Sequence, residues 1–279
     1  MITGVLSVSS YGLDRQPVTA LVLAGARTDR DPVARMAGVS NKVLANVGGE
    51  PMISRVLQTL EKAHTVGKRI LCGPAWETVQ DNPFLGTLIE SGKVQWVEPQ
   101  QGPSLSVGRF LHEHPQEFPI LITTADHALL TAEMVDYFLR EAQQVRADVA
   151  VGLVPYSLVV ASYPQSKRTV TRFTGGGFCG CNLFVLFTPK AERMVEFWSH
   201  IERERKHPLR LIRTLGGLVL VRYVLGWLSL SDALDRLGRR LDLHVKEILL
   251  PFPEAAIDVD TSADLALAEQ ILAERRRKG

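Results

Sequence analysis

The chain has 279 residues, of which 46% are hydrophobic and 22% charged, and its formal net charge is +2 at pH 7. This composition is ordinary for a globular protein and excludes a disordered or fibrous chain. A charge so close to zero also argues against nucleic-acid binding, which usually requires a stronger basic excess. The length is sufficient for one large domain with an embellishment.

The three cysteines are Cys72, Cys179 and Cys181. Their odd number and spacing fit neither a disulfide framework nor a paired zinc site, which favours the reducing cytoplasm. Residues 1–17 lack the basic start and apolar stretch of a secretory signal. The most apolar segment, 215–230, is interrupted by Arg222, so we expect a buried or interfacial helix and no transmembrane segment. The oligomeric state stays open, with a homo-oligomer as one option.

Short β-branched runs alternate with helical patterns along the chain. Five apolar residues after Pro51 form one helical stripe, and a second stripe follows Thr131. The apolar runs suit strands that are covered on both faces; they are 19–24, 69–72, 94–97, 119–124, 148–154 and 183–187. The alternation predicts an α/β fold, a three-layer sandwich with a mostly parallel central sheet.

Residues 190–250 break this alternation with mostly helical material, in which Ser231 and Asp232 provide a helix start. We interpret this region as a helical insertion near the C-terminus of a single domain that comprises residues 1–279. The α/β pattern then resumes. A short strand is predicted to end at Asp260, and Thr261 and Asp264 form a capping-box pattern before a last helix.

The first strand ends in the sequence Leu23, Ala24, Gly25, Ala26. Loops at this end of parallel strands meet the positive ends of helices and commonly bind phosphates. Gly25 stands alone, however, so the segment has neither the three glycines of a dinucleotide fingerprint nor a Walker A sequence. Four basic residues follow: Arg27, Arg30, Arg35 and Lys42. They either bind a polyphosphate or are only solvated loop residues.

Carboxylates follow two other strands. Asp126 comes after the run 119–124, where it suits either a Mg²⁺ ligand or a cap of the next turn. Asp258 and Asp260 lie two residues apart, so in a strand their side chains would project from the same face. We rank Asp258 slightly above Asp260 as a metal ligand, because Asp260 also suits a role in holding the turn.

These segments together resemble the nucleotidyltransferases related to the molybdenum cofactor guanylyltransferase. The matching residues are Leu23, Ala24, Gly25, Arg35, Met36, Gly38, Lys42, Gly49 and Pro51. Two departures are Ala26, where the family has a second glycine, and a longer segment between Gly25 and Arg35. The resemblance includes residues 18–190 and 250–275 and implies a glycosyltransferase-A-like fold.

The resemblance implies an activity and a set of site residues. It implies that an NMP is transferred from an NTP to a phosphorylated acceptor, with release of pyrophosphate and with Mg²⁺ as cofactor. Arg35 and Lys42 would stabilise the triphosphate, and Asp126 would be the family's metal aspartate, with Asp258 or Asp260 as its partner. The strand end and a helix-start loop would bind the nucleotide, through Leu23, Ala24, Gly25, Ala26, Gly102, Ser104 and Ser106. The acceptor contacts would be Lys167, Arg168 and Asn182.

Alternative interpretations remain for several of these segments. The serines at 104 and 106 suit a plain helix cap equally well, and residues 167–187 suit a mobile surface loop. Trp198, Trp227 and the basic residues of the insertion form either a helix-packing face, which we favour, or a pocket for a large phosphorylated acceptor. For the whole chain, the alternatives are a nucleotide-sugar glycosyltransferase of the same fold and a non-catalytic nucleotide-binding regulator.

Overall fold

The computed structural model describes residues 17–25, 31–204 and 227–278. The strands in these ranges are β1 (Val18–Leu23), β2 (Asn46–Val47), β3 (Glu50–Pro51), β4 (Val66–Cys72), β5 (Gln95–Val97), β6 (Ile120–Thr124), β7 (Val149–Pro155), β8 (Thr171–Phe173), β9 (Gly176–Leu186) and β10 (Val245–Leu249). The α-helices are α1 (Pro32–Ala37), α2 (Met52–Lys62), α3 (Trp76–Gln80), α4 (Pro83–Glu90), α5 (Pro103–Glu113), α6 (Ala132–Gln144), α7 (Tyr156–Ser162), α8 (Glu192–Glu204), α9 (Leu230–Leu241) and α10 (Ser262–Lys278).

The central sheet has the strand order β10-β7-β9-β6-β1-β4-β5, and β8 pairs with β9. Neighbouring strands are parallel, except that β9 runs antiparallel to β6, β7 and β8. The short strands β2 and β3 form a separate hairpin. The predicted mostly parallel sheet is therefore confirmed.

Helices pack on both faces of the sheet. Alternate residues of β1 point to opposite sides, so that Ala20 and Val22 contact the core beneath α2 and α6, whereas Leu21 contacts the core beneath α5 and α8. The two predicted apolar stripes are the buried faces of α2 and α6, and the Thr131 hydroxyl caps α6 by accepting from Met134 N. The predicted three-layer arrangement is confirmed.

The register of the sheet brings three strand ends together. Leu23 of β1 lies opposite Cys72 of β4 on one side and opposite Thr124 of β6 on the other. The loops that follow these residues therefore leave the sheet side by side. The two glycines of these loops are in contact, because a Cβ added at Gly73 would lie 3.0 Å from the backbone nitrogen of Gly25.

Three sequence predictions are corrected by the fold. Residues 257–260 are extended but form no strand; their backbone is held by a hydrogen bond from Val259 N to Asp126 O (3.1 Å). The region 190–250 is not wholly helical, because it contains β10, which pairs with β7. The helix predicted from Ser231 begins at Leu230, since the Ser229 hydroxyl caps it by accepting from Asp232 N.

Most of the apolar segment 215–230 lies outside the described residues, as do the predicted phosphate-loop residues Ala26, Arg27 and Arg30. In the ranges that the structure describes, no helix is long and apolar enough to cross a membrane. The capping box of the last helix is confirmed, because Asp264 accepts hydrogen bonds from the Thr261 backbone and hydroxyl, and Asp264 N donates to that hydroxyl.

Replacement of Gly73 by alanine tests the contact between the first two loops. Gly73 has φ +82°, a conformation that disfavours a Cβ, and its Cβ would press on backbone atoms of Ala24 and Gly25. We expect Gly73→Ala to lower the free energy of unfolding by about 2 kcal/mol. The matched control is Gly86→Ala, because Gly86 lies in α4 with no atom within 4 Å of the added Cβ. This control should raise stability by about 0.5–1 kcal/mol. Urea denaturation measures both, and equal effects would contradict the expectation.

Candidate active site

A cleft of about 390 Å³ opens where the loops after β1, β4 and β6 meet. It is mainly polar at one end, where cations and carboxylates face each other. Its lining includes Leu23, Gly25, Arg35, Asn41, Lys42, Cys72, Gln100, Gln101, Gly102, Ser106, Asp126 and Asp260. The sequence-predicted strand end, cations and carboxylates are thus brought into one site, although they are more than 200 residues apart in the chain.

Lys42 is the central cation of this cleft. Its Nζ lies 2.7 Å from Asp126 Oδ2 and 2.5 Å from Asp260 Oδ1, and it donates to the carbonyl oxygen of Val259 at 3.4 Å. Burial alone would lower the pKa of Lys42, but the two carboxylates outweigh burial and raise the pKa well above its usual value. Lys42 is therefore a permanent cation at neutral pH.

The loop before Lys42 holds its position. Asn41 is buried; its Nδ2 donates to Ala24 O at the end of β1 (3.1 Å), and its Oδ1 accepts from Val43 N (3.1 Å). The same side chain thus caps the short helical turn at 42–44 and ties it to the first strand. Upstream, Asp31 caps α1, and Gly38 ends it in the left-handed conformation (φ 67°). The glycine of the family pattern is explained by this helix end.

Asp126 lies in the loop after β6 and faces the cleft. Burial would raise the pKa of this carboxyl, but the adjacent charge of Lys42 lowers it below the usual value, so Asp126 is ionised. Its Oδ2 binds Lys42, whereas its Oδ1 is buried and has no hydrogen-bond partner in the described part of the chain. Buried carboxylate oxygens are normally satisfied, so this atom is available to a ligand.

Asp258 is held by two side chains. Arg168 Nη1 donates to Asp258 Oδ1 (2.9 Å) and to its carbonyl oxygen (3.2 Å), and Asn182 Nδ2 donates to Oδ2 (3.1 Å). Asn182 reaches it from β9 through a left-handed residue conformation (φ 50°), which Asn tolerates better than most residues. Burial and the neighbouring charges of Asp126 and Asp260 raise the pKa of Asp258.

The side chains of Asp258 and Asp260 point away from the core, as the alternation predicted, while Ile257 and Val259 are fully buried against α10. Arg168 also pairs with Asp264, the capping residue of α10. In this cluster, the two cations Lys42 and Arg168 contact four carboxylates, Asp126, Asp258, Asp260 and Asp264, which leaves a formal charge of minus two.

The remaining predicted site residues differ in location. Ala24 is buried in the core beside the cleft, and Ala26 lies outside the described residues. Gly102 and Ser106 line the cleft, and the Ser106 hydroxyl accepts from Gln100 N and donates to Gly102 O. Ser104 instead lines a neighbouring groove between α5 and α8. The roles of these residues in nucleotide binding stay predictions.

The predicted acceptor contacts are also separated. Lys167 is exposed, whereas the Arg168 side chain is only 7% exposed and both its Nη atoms bind carboxylates. Asn182 is half-buried against Asp258. Contact of these three residues with an acceptor stays a prediction, and the structure adds a role for Arg168 and Asn182 in holding Asp258.

Several residues near the cleft were missed from sequence. Asn41 carried a readable signal, since Asn directly before a helical turn is a common cap. No sequence pattern indicated Glu202. It lies in α8 and accepts hydrogen bonds from Ser104 N and Ser104 Oγ at the start of α5. His127, expected in a loop, is in a loop but only 1% exposed, and burial lowers its pKa to about 4. All three cysteines are free and buried, and Cys72 lines the cleft.

The mostly parallel sheet with its one antiparallel strand, and the cleft at its carboxyl edge, are those of the glycosyltransferase-A-like fold class. The profile of the MobA-like NTP transferase domain matches residues 20–167. This match includes more than half of the chain and extends from within β1 to beyond α7. The protein therefore belongs to the MobA-like NTP transferase family.

Solved structures support the fold. A hypothetical transferase from Thermus thermophilus is 29% identical with a TM-score of 0.74, and the alignment covers 90% of this chain and 100% of that one. The 4-diphosphocytidyl-2C-methyl-D-erythritol synthase from Anaerococcus prevotii is 12% identical (TM-score 0.57; 93% and 97% covered). A CMP:2-keto-3-deoxy-manno-octonic acid synthetase in complex with CTP is also 12% identical (TM-score 0.55; 93% and 99% covered). A comparison with curated proteins gave no match.

Neighbouring residues Arg168 and Lys167 provide a test of the carboxylate cluster. Arg168→Ala would leave Asp258 and Asp264 without their shared cation in a largely buried place. We expect a loss of about 3 kcal/mol in the free energy of unfolding, because breaking a buried ion pair leaves charge uncompensated. Lys167→Ala, the matched control at an exposed position, should change stability by less than about 0.5 kcal/mol. Urea denaturation measures the free energy of unfolding of both variants. A value for Arg168→Ala equal to that of the wild type would refute the role of Arg168 in holding Asp258 and Asp264.

Proposed function

We propose that this protein transfers a nucleoside monophosphate from an NTP to a phosphorylated small-molecule acceptor and releases pyrophosphate. One observation carries the proposal: the Lys42 ammonium lies between the carboxylates of Asp126 and Asp260 in the cleft at the ends of β1 and β6. This arrangement suits a triphosphate, whose reaction needs positioning and charge neutralisation more than covalent chemistry. The family and the CTP-bound structural neighbour support the nucleotide half of the proposal.

In the proposed reaction, an acceptor phosphate oxygen attacks the α-phosphorus of the NTP. The new bond joins this oxygen to phosphorus, and the bond from the α-phosphorus to the bridging oxygen breaks, so that pyrophosphate leaves with its electron pair. The attacking phosphate is ionised near neutral pH, so no general base is required. Lys42 and Arg35 would stabilise the negative charge that moves onto the leaving group.

The carboxylate cluster has the charge and one free oxygen with which to attract a divalent cation. Its formal charge is minus two, and the buried Asp126 Oδ1 lacks a partner. Carboxylate oxygens are also the ligands that Mg²⁺ prefers. Asp126 and one of Asp258 and Asp260 would hold the ion, which would neutralise phosphate charge. Asp258 has both oxygens engaged by Arg168 and Asn182, whereas the Asp260 side chain is 55% exposed, which favours Asp260 as the second ligand and reverses our ranking from sequence.

The acceptor would enter beside this cluster, where Lys167 is exposed and Asn182 lies against Asp258. The positive charge of Lys167 would attract an anionic acceptor. His127 is buried and neutral, so it is not available as a general base, and a phosphate nucleophile does not need one. The identity of the base and of the acceptor, the homo-oligomer and the cytoplasmic location stay predictions.

Two other functions were considered. A nucleotide-sugar glycosyltransferase usually carries Asp-x-Asp in mid-chain, whereas the sequence here is Asp126-His127-Ala128, and the chain has Asp-x-Asp near its two ends, at 29–31 and 258–260. A non-catalytic nucleotide-binding regulator is favoured by Ala26 in place of glycine. The ionised Lys42–Asp126 pair in the cleft favours a catalytic site over both.

The deciding experiment has two stages. A thermal-shift screen of the four NTPs with Mg²⁺ identifies the base, and a coupled assay then measures pyrophosphate release against phosphorylated metabolites. Acceptor-dependent pyrophosphate release supports the proposal. Release of a nucleoside diphosphate from a nucleotide sugar would indicate the glycosyltransferase, and nucleotide binding without turnover would indicate the regulator.

Substitution of the two central groups tests their roles in turnover. We expect Lys42→Ala and Asp126→Asn each to lower kcat about a hundredfold, because loss of one charge contact in a transition state costs on the order of 3 kcal/mol. The matched control is Lys62→Ala, an exposed lysine at the end of α2, which should keep the wild-type rate. Far-UV circular dichroism checks the fold, and wild-type kcat in either site variant would refute the assignment.

A further inference from the structure

The Lys42 ammonium binds the same carboxylates that suit a divalent cation. Its Nζ contacts Asp126 Oδ2 at 2.7 Å and Asp260 Oδ1 at 2.5 Å, and its side chain is only 19% exposed. Both distances are short, as expected for charge-assisted hydrogen bonds. One cation therefore already bridges the two aspartates.

The carboxylates are grouped around side-chain cations and not as a ready metal site. Across the described residues, no three His, Cys, Asp or Glu side chains are grouped so that they could hold a metal ion. The oxygens of Asp258 bind Arg168 and Asn182, and one oxygen of each of Asp126 and Asp260 binds Lys42. A divalent cation that used these aspartates would have to compete with Lys42.

The charge of the cluster favours a divalent cation in this competition. Lys42 and Arg168 leave two of the four carboxylate charges uncompensated. A divalent ion would bring more charge to the cluster than one ammonium does. Close to Lys42, the exposed Arg35 lines the same cleft, where a triphosphate would meet both cations.

We propose that Lys42 is an internal competitor for the divalent cation: in the nucleotide-free protein it closes the site between Asp126 and Asp260, and the triphosphate opens the site by drawing the ammonium away. This inference rests on the proposed function, since it concerns the same cleft. The free protein then binds a divalent cation weakly, and triphosphate and cation each raise the affinity for the other, because such coupling is reciprocal. The lysine thus links metal loading to nucleotide binding.

The first test is a Mn²⁺ titration of the nucleotide-free protein, followed by electron paramagnetic resonance. We expect Lys42→Met to bind one Mn²⁺ per chain at least about tenfold more tightly than wild type, which is about 1.4 kcal/mol. Addition of Asp126→Asn to this variant should abolish the gain. Wild-type affinity in Lys42→Met would overturn the proposal.

Two controls separate direct competition from general charge. Arg35→Met removes a cation that lines the same cleft; in the described residues, Arg35 makes no contact with these carboxylates. Lys62→Met removes a cation from α2, which lies outside the cleft lining. Both should change the Mn²⁺ affinity by less than about threefold, because neither substitution frees the Asp126 and Asp260 oxygens that Lys42 binds, which leaves only a long-range effect that salt weakens. An equal gain in Arg35→Met would overturn the proposal, because it would assign the effect to general charge.

A second measurement uses the wild-type chain and so does not depend on folding of a variant. The Lys42 amine should react slowly with an amine-acylating reagent, because its ammonium is held in two ion pairs. Saturating Mn²⁺ should speed acylation of Lys42 at least about fivefold and leave Lys62 unchanged, as measured by peptide mass spectrometry. An unchanged rate at Lys42 would show that metal does not displace it. Neither test includes an NTP or measures turnover, so failure here is separate from failure of the proposed function.

Discussion

The carboxyl edge of the parallel sheet concentrates negative charge that the protein has to balance. Asp126 leaves β6 beside the end of β1, and the segment carrying Asp258 and Asp260 is tied to it through the hydrogen bond from Val259 N to Asp126 O. The buried aspartate could not remain ionised there without a partner, because a buried unpaired charge is very costly. Lys42 and Arg168 supply the opposite charge, and the loops around the cleft are arranged so that both reach it.

Each of the two cations is held in place by neighbouring loops and helix ends. Lys42 follows a helix that begins at Asp31 and ends at Gly38, and Asn41 fastens the next turn to the strand end at Ala24. Arg168 is fixed at the opposite side by Asp264, the residue that caps α10. α10 therefore contributes in two ways. Its apolar residues pack against Ile257 and Val259, and Asp264 in its first turn binds and orients Arg168.

The wall of the cleft formed by α5 is also stabilised by a residue far away in the sequence. The start of α5, where Gly102 and Ser106 line the cleft, has no side-chain cap of its own. Glu202 of α8 serves this purpose by binding Ser104 N and Oγ.

The sequence by itself determined the layers of the fold and the family of the protein. Its apolar periodicity predicted the sheet and helices α2 and α6, and its ordered Gly25, Arg35, Gly38 and Lys42 indicated the family, because these features are local in the chain. Only the tertiary structure decided which charges meet. The pairs Lys42–Asp260 and Arg168–Asp258 join residues that are far apart in sequence, and no local pattern encodes such contacts. For the same reason Arg168 could be read as an acceptor contact from sequence, and only the packing of α10 and β9 against it shows that its guanidinium is occupied by carboxylates.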